Sequence, residues 1–271
     1  MRVSAHTPRI KHPTCCGWPL NHSPDHNGLY ARKPAKNAAQ RPTAGIAYNQ
    51  ESGEEGPVAC AICEQRKEKR VCLALPGRIC PVCCGEQREF RLECPADCPW
   101  LQQARRSERP RTAEDLAGEE LFREVVLPAG FRYEHEPLVA GLLFAVARTA
   151  ATHGDWHDGE VIAALTAVAR DLERRRRSGI IYAEPSPNPA LEVLRAELER
   201  MVADYRKVEE QNQGFVRLKD RDTFHALVMM VRMAQAVTNG RPKSRRFLHG
   251  LLAQFPDAAT GAKSGPAIVL S

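Results

Sequence analysis

Aromatic residues make up only 6% of the 271-residue chain. No run of apolar residues reaches the length of about 18 that a membrane-spanning helix requires. Few aromatics predict a core built from Leu, Val and Ala, and the short runs predict no membrane partner. The first thirty residues also lack the apolar segment of a secretory signal. We therefore expect a cytoplasmic protein whose cysteines stay reduced.

Cysteine is absent after Cys98, yet eight of the ten cysteines fall in the stretch that begins at Cys60. Two C-x2-C pairs stand out, Cys60/Cys63 and Cys80/Cys83. Each C-x2-C turn supplies two thiolates from one tight loop, so two turns complete the tetrahedral site that structural zinc prefers. Their separation is typical of zinc ribbons and treble-clef folds. The spacing therefore predicts a four-cysteine zinc site.

A second set of cysteines remains in the same stretch: Cys72, Cys84, Cys94 and Cys98. We predict that these form a second four-cysteine site, interleaved with the first, so that the chain binds one or two Zn²⁺ ions. An iron–sulfur cluster is the alternative, because neighbouring thiolates also suit iron; disulfides are disfavoured in a reducing compartment. A site closed by four thiolates keeps no open position for a substrate, which favours a binding protein over an enzyme.

From residue 113 onward, apolar residues recur at helical spacing. The predicted fold is mainly α: a small zinc-stabilised Cys-rich module at 58–106, a linker, then an antiparallel helical bundle at 113–256. A flexible tail at 257–271 completes the chain. The predicted helices are Leu101–Arg106, Glu114–Val126, Pro137–His153, Gly159–Ser178 with Asp158 as N-cap and Gly179 as stop, Ala190–Gln211, Arg221–Thr238 with Asn239–Gly240 as C-cap pair, and Lys243–Gln254.

Residues 1–57 are rich in Pro, His, Asn, Gly and Gln and show neither helical nor strand periodicity. This composition predicts a disordered N-terminal tail. A further hypothesis is that translation starts at Val58 on a GTG codon, which would leave residues 1–57 outside the natural protein.

The net charge of +6 invites a nucleic-acid interpretation, but residues 60–111 carry eleven Lys/Arg against seven Asp/Glu. Eight thiolates on two Zn²⁺ ions would add a charge of about −4 and leave that segment near neutral. A nucleic-acid-binding zinc protein therefore stays as an alternative. The candidate contacts to an anion or nucleic acid are Arg66, Lys67, Lys69, Arg70, Arg241, Lys243, Arg245 and Arg246.

An enzyme in the helical region is a further alternative, and its only support is the metal-capable group His153, Asp155 and His157. A polar loop between two helices, with Asp158 as the cap, is the favoured interpretation of these residues. We expect a rigid zinc-bound surface that docks a protein partner or a second copy of the chain.

Two segments carry a resemblance to known proteins: Ile79–Arg88, which reads ICPVCCGEQR, and Glu93–Leu101, which reads ECPADCPWL. With the late segment Asn239–Leu248, they resemble a group of uncharacterised bacterial proteins that pair a short Cys-rich module with a helical region. The resemblance covers roughly 60–101 and, loosely, 179–256. It implies zinc-type metal binding in an intracellular bacterial protein, and it implies no activity.

Overall fold

A computed structural model describes residues 59–179 and 189–260 of the chain, and all of these belong to one compact unit. The predicted Cys-rich module and the predicted helical region both lie in this unit. The predicted N-terminal tail lies outside the described residues, as does the predicted C-terminal tail beyond residue 260.

The described residues are mainly helical, as predicted, with a small two-stranded sheet in the Cys-rich region. None of the described helices combines the length and the apolar character that crossing a membrane requires. The elements are β1 (Arg70–Val71), β2 (Arg78–Ile79), α1 (Pro81–Gln87), α2 (Pro99–Ser107), α3 (Phe131–Glu134), α4 (Glu136–Thr152), α5 (Asp158–Ser178), α6 (Pro189–Gln213), α7 (Asp220–Val237), α8 (Arg246–Gln254) and a 3₁₀ turn at Pro256–Ala258.

Helix α4 is the central helix of the bundle, because apolar residues cover almost its whole circumference. It packs against α6, α7 and α8, while α5 packs against α6 and α7. Leu138 and Leu142 of α4 are fully buried. At Gly141 a Cβ atom would lie 2.8 Å from the Cε atom of Met201, so glycine permits the close approach of α4 and α6.

Helix α5 begins one residue earlier than predicted, and its N-cap is His157 rather than Asp158. The backbone N–H of His157 donates to the Glu160 carboxylate at 2.8 Å. The buried Asp158 carboxylate instead caps α8, accepting from the backbone N–H groups of Phe247 and Leu248, both at 3.1 Å. The predicted stop at the other end is confirmed, because α5 ends at a glycine with φ of +67°.

The predicted helix at Glu114–Val126 is wrong, because this segment forms turns. The guanidinium of Arg232 donates to the backbone carbonyls of Leu121, Phe122 and Val125. Those carbonyls are therefore held by a side chain of α7 instead of by helical N–H groups. A φ of +47° at Phe122 also breaks helical geometry.

Candidate metal centre

The first C-x2-C pair lies in a tight turn that the backbone closes on itself. The N–H of Cys60 donates to the carbonyl of Arg66 at 2.9 Å, and the N–H of Glu64 donates to the carbonyl of Cys60 at 2.8 Å. Glu64 takes a left-handed conformation, with φ of +54°. These bonds hold Cys60 and Cys63 together in one short loop.

The second C-x2-C pair lies at the start of α1. Cys80 is the N-cap of the helix, and Pro81 follows at the position where a proline costs no hydrogen bond. The Cys80 Sγ atom accepts from the N–H of Cys83 at 3.4 Å. The N–H of Cys80 in turn donates to the Sγ atom of Cys60 at 3.2 Å, which links the two turns directly.

The β1–β2 hairpin brings these two turns together. The antiparallel register pairs Arg70 with Ile79. Gly77 reaches a φ of +119° before β2, a conformation that a side chain would strain. The carbonyl of Arg78 accepts from the N–H of Ala61 in the first turn at 3.0 Å. The short turn between β1 and β2 therefore brings the chain back to the first cysteine pair.

The Sγ atoms of Cys60, Cys63, Cys80 and Cys83 all lie within 4.8 Å of one another. All four are free thiols. Tetrahedral zinc with Zn–S bonds of about 2.3 Å would place its sulfurs about 3.8 Å apart, which lies within this limit. This group could hold a metal ion, and the four residues predicted from spacing are the ones that meet.

The surroundings of Cys60, Cys80 and Cys83 shift the pKa values of their thiols in different directions. Burial alone would raise the pKa of Cys60, but hydrogen bonds from the backbone N–H groups of Cys63, Cys80 and Ile62 lower it to about 6. The N–H of Cys83 likewise lowers the pKa of Cys80. Burial, together with the neighbouring thiols, raises the pKa of Cys83 to about 12. Without a cation Cys60 and Cys83 therefore do not ionise together.

The four basic residues after the first turn, Arg66, Lys67, Lys69 and Arg70, have different surroundings. The Nη1 atom of Arg66 lies 4.0 Å from the sulfurs of both Cys80 and Cys83. The guanidinium of Arg70 lies over the Trp100 ring, 4.4 Å from its centroid. The other two predicted contact residues, Lys67 and Lys69, are exposed. The contact of these residues with an anion stays a prediction. Arg66 lies beside two sulfurs of the first cysteine group.

The second cysteine set is less closely gathered. Within residues 59–179 and 189–260, the first four cysteines form the one group of ligand atoms within 4.8 Å of one another. Cys94 nevertheless has neighbours of its own set: burial, with smaller contributions from the charges of Cys98, Glu89 and Cys72, raises its pKa to about 11 against a backbone hydrogen bond from Glu89. The sulfur of Cys84 lies 3.7 Å from the Nη2 atom of the neighbouring Arg88. The second site stays a prediction.

Arg241, a predicted anion contact, binds the C-terminal end of α1. Its Nη1 atom donates to the carbonyl of Gly85 at 3.1 Å and also to the carbonyl of Arg88. These carbonyls lie where α1 leaves its backbone acceptors unpaired, and a cation is favourable at that position. This arginine therefore attaches the Cys-rich segment to the segment that precedes α8.

The other basic residues of this late segment lie near the same junction. Lys243 pairs with Glu93 at 2.8 Å, and Arg246 pairs with Glu108 at 2.9 Å. The Nε atom of Arg245 is buried and has no hydrogen-bond partner among the described residues. Any contact of Lys243 or Arg246 with an external anion would compete with these ion pairs.

Sequence reasoning missed the buried carboxylate of Glu89. This side chain is 1% exposed and accepts from Arg105 and from Asn239, both at 2.7 Å. Arg105 also contacts the Nδ1 atom of His249 at 3.0 Å. Asn239 was predicted to end α7, but the C-cap is Thr238, and the asparagine side chain instead reaches the Cys-rich segment. No spacing pattern marks Glu89.

The loop between α4 and α5 brings its polar residues together in pairs. The His153 ring stacks on Trp156 with centroids 5.4 Å apart, and His157 lies 3.4 Å from the Glu160 carboxylate. Among the residues that the structure describes, no metal-capable group includes them.

Comparison of the chain with protein-family models, with curated proteins and with solved structures returns no match.

Proposed function

We propose that this chain is a zinc-binding interaction protein, in which Zn²⁺ held by Cys60, Cys63, Cys80 and Cys83 stabilises a docking surface. The observation that carries the proposal is the convergence of these four sulfurs within 4.8 Å. Four thiolates without a histidine or carboxylate in the group suit a closed, structural zinc site. The metal supplies stability that so small a segment cannot obtain from its own core.

The surface of the Cys-rich segment supports a protein partner. Four of its large apolar side chains are exposed: Val71, Leu73, Val82 and Phe90. A metal-fixed backbone can present such side chains rigidly, and this lowers the entropy lost on binding. The partner is a protein or a second copy of this chain.

Elemental analysis of the full-length protein, purified without chelators, tests the metal. One zinc per chain is expected from the first cysteine group, and a second zinc would add a site at Cys72, Cys84, Cys94 and Cys98. A brown protein that contains iron would replace the proposal with an iron–sulfur protein. A folded protein with reduced thiols and no metal would overturn it.

Two matched variants assign the metal to its site. Cys60→Ser is expected to abolish binding at the first group, while Cys84→Ser, at a buried cysteine outside that group, leaves one zinc bound. Retention of the full metal content by Cys60→Ser would contradict the assignment.

The docking surface needs a separate test. Sedimentation measures self-association, and quantitative affinity enrichment measures partners, each with the wild type and with Leu73→Ser/Phe90→Ser. The double variant should keep its zinc and lose the association, and Val126→Ser, at an exposed site outside the Cys-rich segment, serves as control. Equal association of all three proteins would remove this surface from the proposal.

Nucleic-acid binding is measured in parallel with a single-stranded RNA and a DNA duplex at low salt. Binding that falls when Lys67 and Lys69 are both changed to Glu would identify a nucleic acid in place of the protein partner.

A further inference from the structure

The helical bundle contains a cavity of about 260 Å³ between α4, α5, α6 and α7. Apolar side chains make up half of its lining. The apolar lining residues are Leu142, Val168, Leu172, Leu198, Val202, Ala203 and Leu227. A cavity of this size accommodates an organic molecule of about ten non-hydrogen atoms. The apolar side chains favour a ligand with an alkyl chain, and the polar ones favour a ligand with a charged end.

Four polar side chains of the cavity lining carry buried atoms without a hydrogen-bond partner among the described residues. These atoms are the Nε of Arg175, the Nε of Arg195, the Nε of Arg206 and the Oγ1 of Thr223. Thr223 is only 3% exposed. Buried polar atoms without partners are rare in folded proteins, and a bound molecule is one of the few explanations for several around one cavity.

Of the three arginines that line the cavity, one has no ion-pair partner among the described residues. The Asp171 carboxylate accepts from Arg195 and from Arg174, so it is already neutralised. The Asp220 carboxylate pairs with Arg206 at 2.6 Å. The half-buried guanidinium of Arg175 has no ion-pair partner within the described part of the chain. One further carboxylate of the lining, Glu199, is exposed to solvent.

We propose that this cavity binds a small organic monoacid with a straight alkyl chain, whose carboxylate pairs with Arg175 and whose chain lies along the apolar side chains of the lining. A guanidinium and a carboxylate form a charge-assisted pair that is stronger than a neutral hydrogen bond. The Thr223 hydroxyl can donate to the same carboxylate. The ligand is an anion because the buried Asp171 and the half-exposed Asp220 are already paired with arginines, whereas Arg175 is not.

Isothermal titration of the full-length, metal-loaded protein with butanoate, hexanoate, octanoate and decanoate tests the proposal. The dissociation constant should fall roughly three- to fourfold for each added methylene. It should reach on the order of 0.1 mM near octanoate and then level off, because the cavity is full. Affinity that rises without a plateau, or the absence of saturable binding, would overturn the proposal.

The charge of the ligand is tested with 1-octanol and octylamine, which have the same chain. Both should bind at least tenfold more weakly than octanoate. Equal binding of octanol and octanoate would mean that Arg175 does not select the ligand, and it would overturn the proposal.

Matched variants locate the site. Arg175→Gln should weaken octanoate binding at least tenfold and Thr223→Val about threefold, whereas Arg177→Gln, on the same helix but outside the cavity lining, should stay within twofold. Ala203→Trp, at an exposed lining position, should block entry without lowering the unfolding temperature. Wild-type affinity in both Arg175→Gln and Ala203→Trp would place octanoate elsewhere, against the proposal.

Discussion

The side-chain amide of Asn239 donates a 2.7 Å hydrogen bond to the carboxylate of Glu89, which lies 150 residues earlier in the chain. The other carboxylate oxygen accepts from Arg105 at 2.7 Å, and the backbone carbonyl of Glu89 accepts from the N–H of Lys243 at 2.8 Å. A single buried residue between two predicted metal ligands, Cys84 and Cys94, thus makes several of the contacts that join the Cys-rich segment to the helical region.

Removal of this carboxylate should weaken the whole fold. Glu89→Ala leaves the guanidinium of Arg105 and the amide of Asn239 without their acceptor, so we expect the free energy of unfolding to fall by about 3 kcal/mol. Glu89→Gln, which keeps an acceptor oxygen, should cost about half as much. Urea unfolding of the metal-loaded protein measures both, and Glu86→Ala at an exposed position of α1 should stay within about 0.5 kcal/mol. A Glu89→Ala protein as stable as the Glu86→Ala protein would refute the junction.

Arg66 should strengthen metal binding. Four thiolates around one divalent cation carry a net charge of −2, and this guanidinium lies 4.0 Å from two of the sulfurs. Arg66→Gln should raise the metal dissociation constant up to about tenfold, in the manner of other residues that support metal ligands. Competition with a chromophoric chelator measures the change. Lys67→Gln removes the same charge from the next residue and should change the constant by less than about twofold, so equal effects would show that only net charge matters.

The sequence was sufficient for the features that arise from local patterns. The C-x2-C spacing predicted which four cysteines meet, since each pair is fixed by one turn of a few residues. Helical periodicity likewise predicted the helices from α4 to α8, because each buries one or more apolar faces. Gly179 was correctly predicted as the end of α5, since the left-handed conformation that ends a helix favours glycine.

The failures have a shared cause, which is that one side chain acts on a distant part of the backbone. The predicted helix at Glu114–Val126 does not form. The guanidinium of Arg232, more than a hundred residues away, donates hydrogen bonds to backbone carbonyls of this segment. Asp158 was assigned to cap its own helix, yet it caps α8. Arg241 likewise binds distant carbonyls, those of α1, which no local pattern predicts, and its contact with an external anion stays a prediction. The sequence shows which side chains can donate or accept a hydrogen bond. Which distant group each of them contacts depends on the fold.

The carboxylate of Asp158 should be one of the most sensitive positions of the helical region. It is fully buried and accepts from Ser244 at 2.8 Å as well as from the N–H groups of Phe247 and Leu248. Asp158→Ala would leave these donors unpaired, with an expected loss of about 2–4 kcal/mol in the free energy of unfolding. Chemical denaturation followed by circular dichroism measures it. Asp204→Ala, at an exposed ion pair of α6, should cost less than about 0.5 kcal/mol, and a similar loss in both variants would contradict the capping role.

His249 should make the protein less stable in mild acid. Burial, followed by the charges of Arg105 and Arg245, lowers the pKa of His249 from 6.5 to about 4. Above pH 6.5 the ring is neutral in both states; below it the unfolded chain takes up the proton first, so the free energy of unfolding falls until about pH 4, where the folded protein is protonated as well.

His249→Gln removes this titration and keeps a side-chain acceptor for Arg105. Between about pH 7.5 and about pH 5.5, the wild type should lose about 1 kcal/mol more of its unfolding free energy than the variant, after a discount for partial exposure. Urea unfolding at both pH values gives the difference. Protonation of the cysteine thiolates also depends on pH, but both proteins share it, so it cancels from the comparison. Parallel pH dependences would mean that the folded protein accepts the proton on His249 as readily as the unfolded chain, and therefore that the contact with Arg105 does not hold the ring neutral.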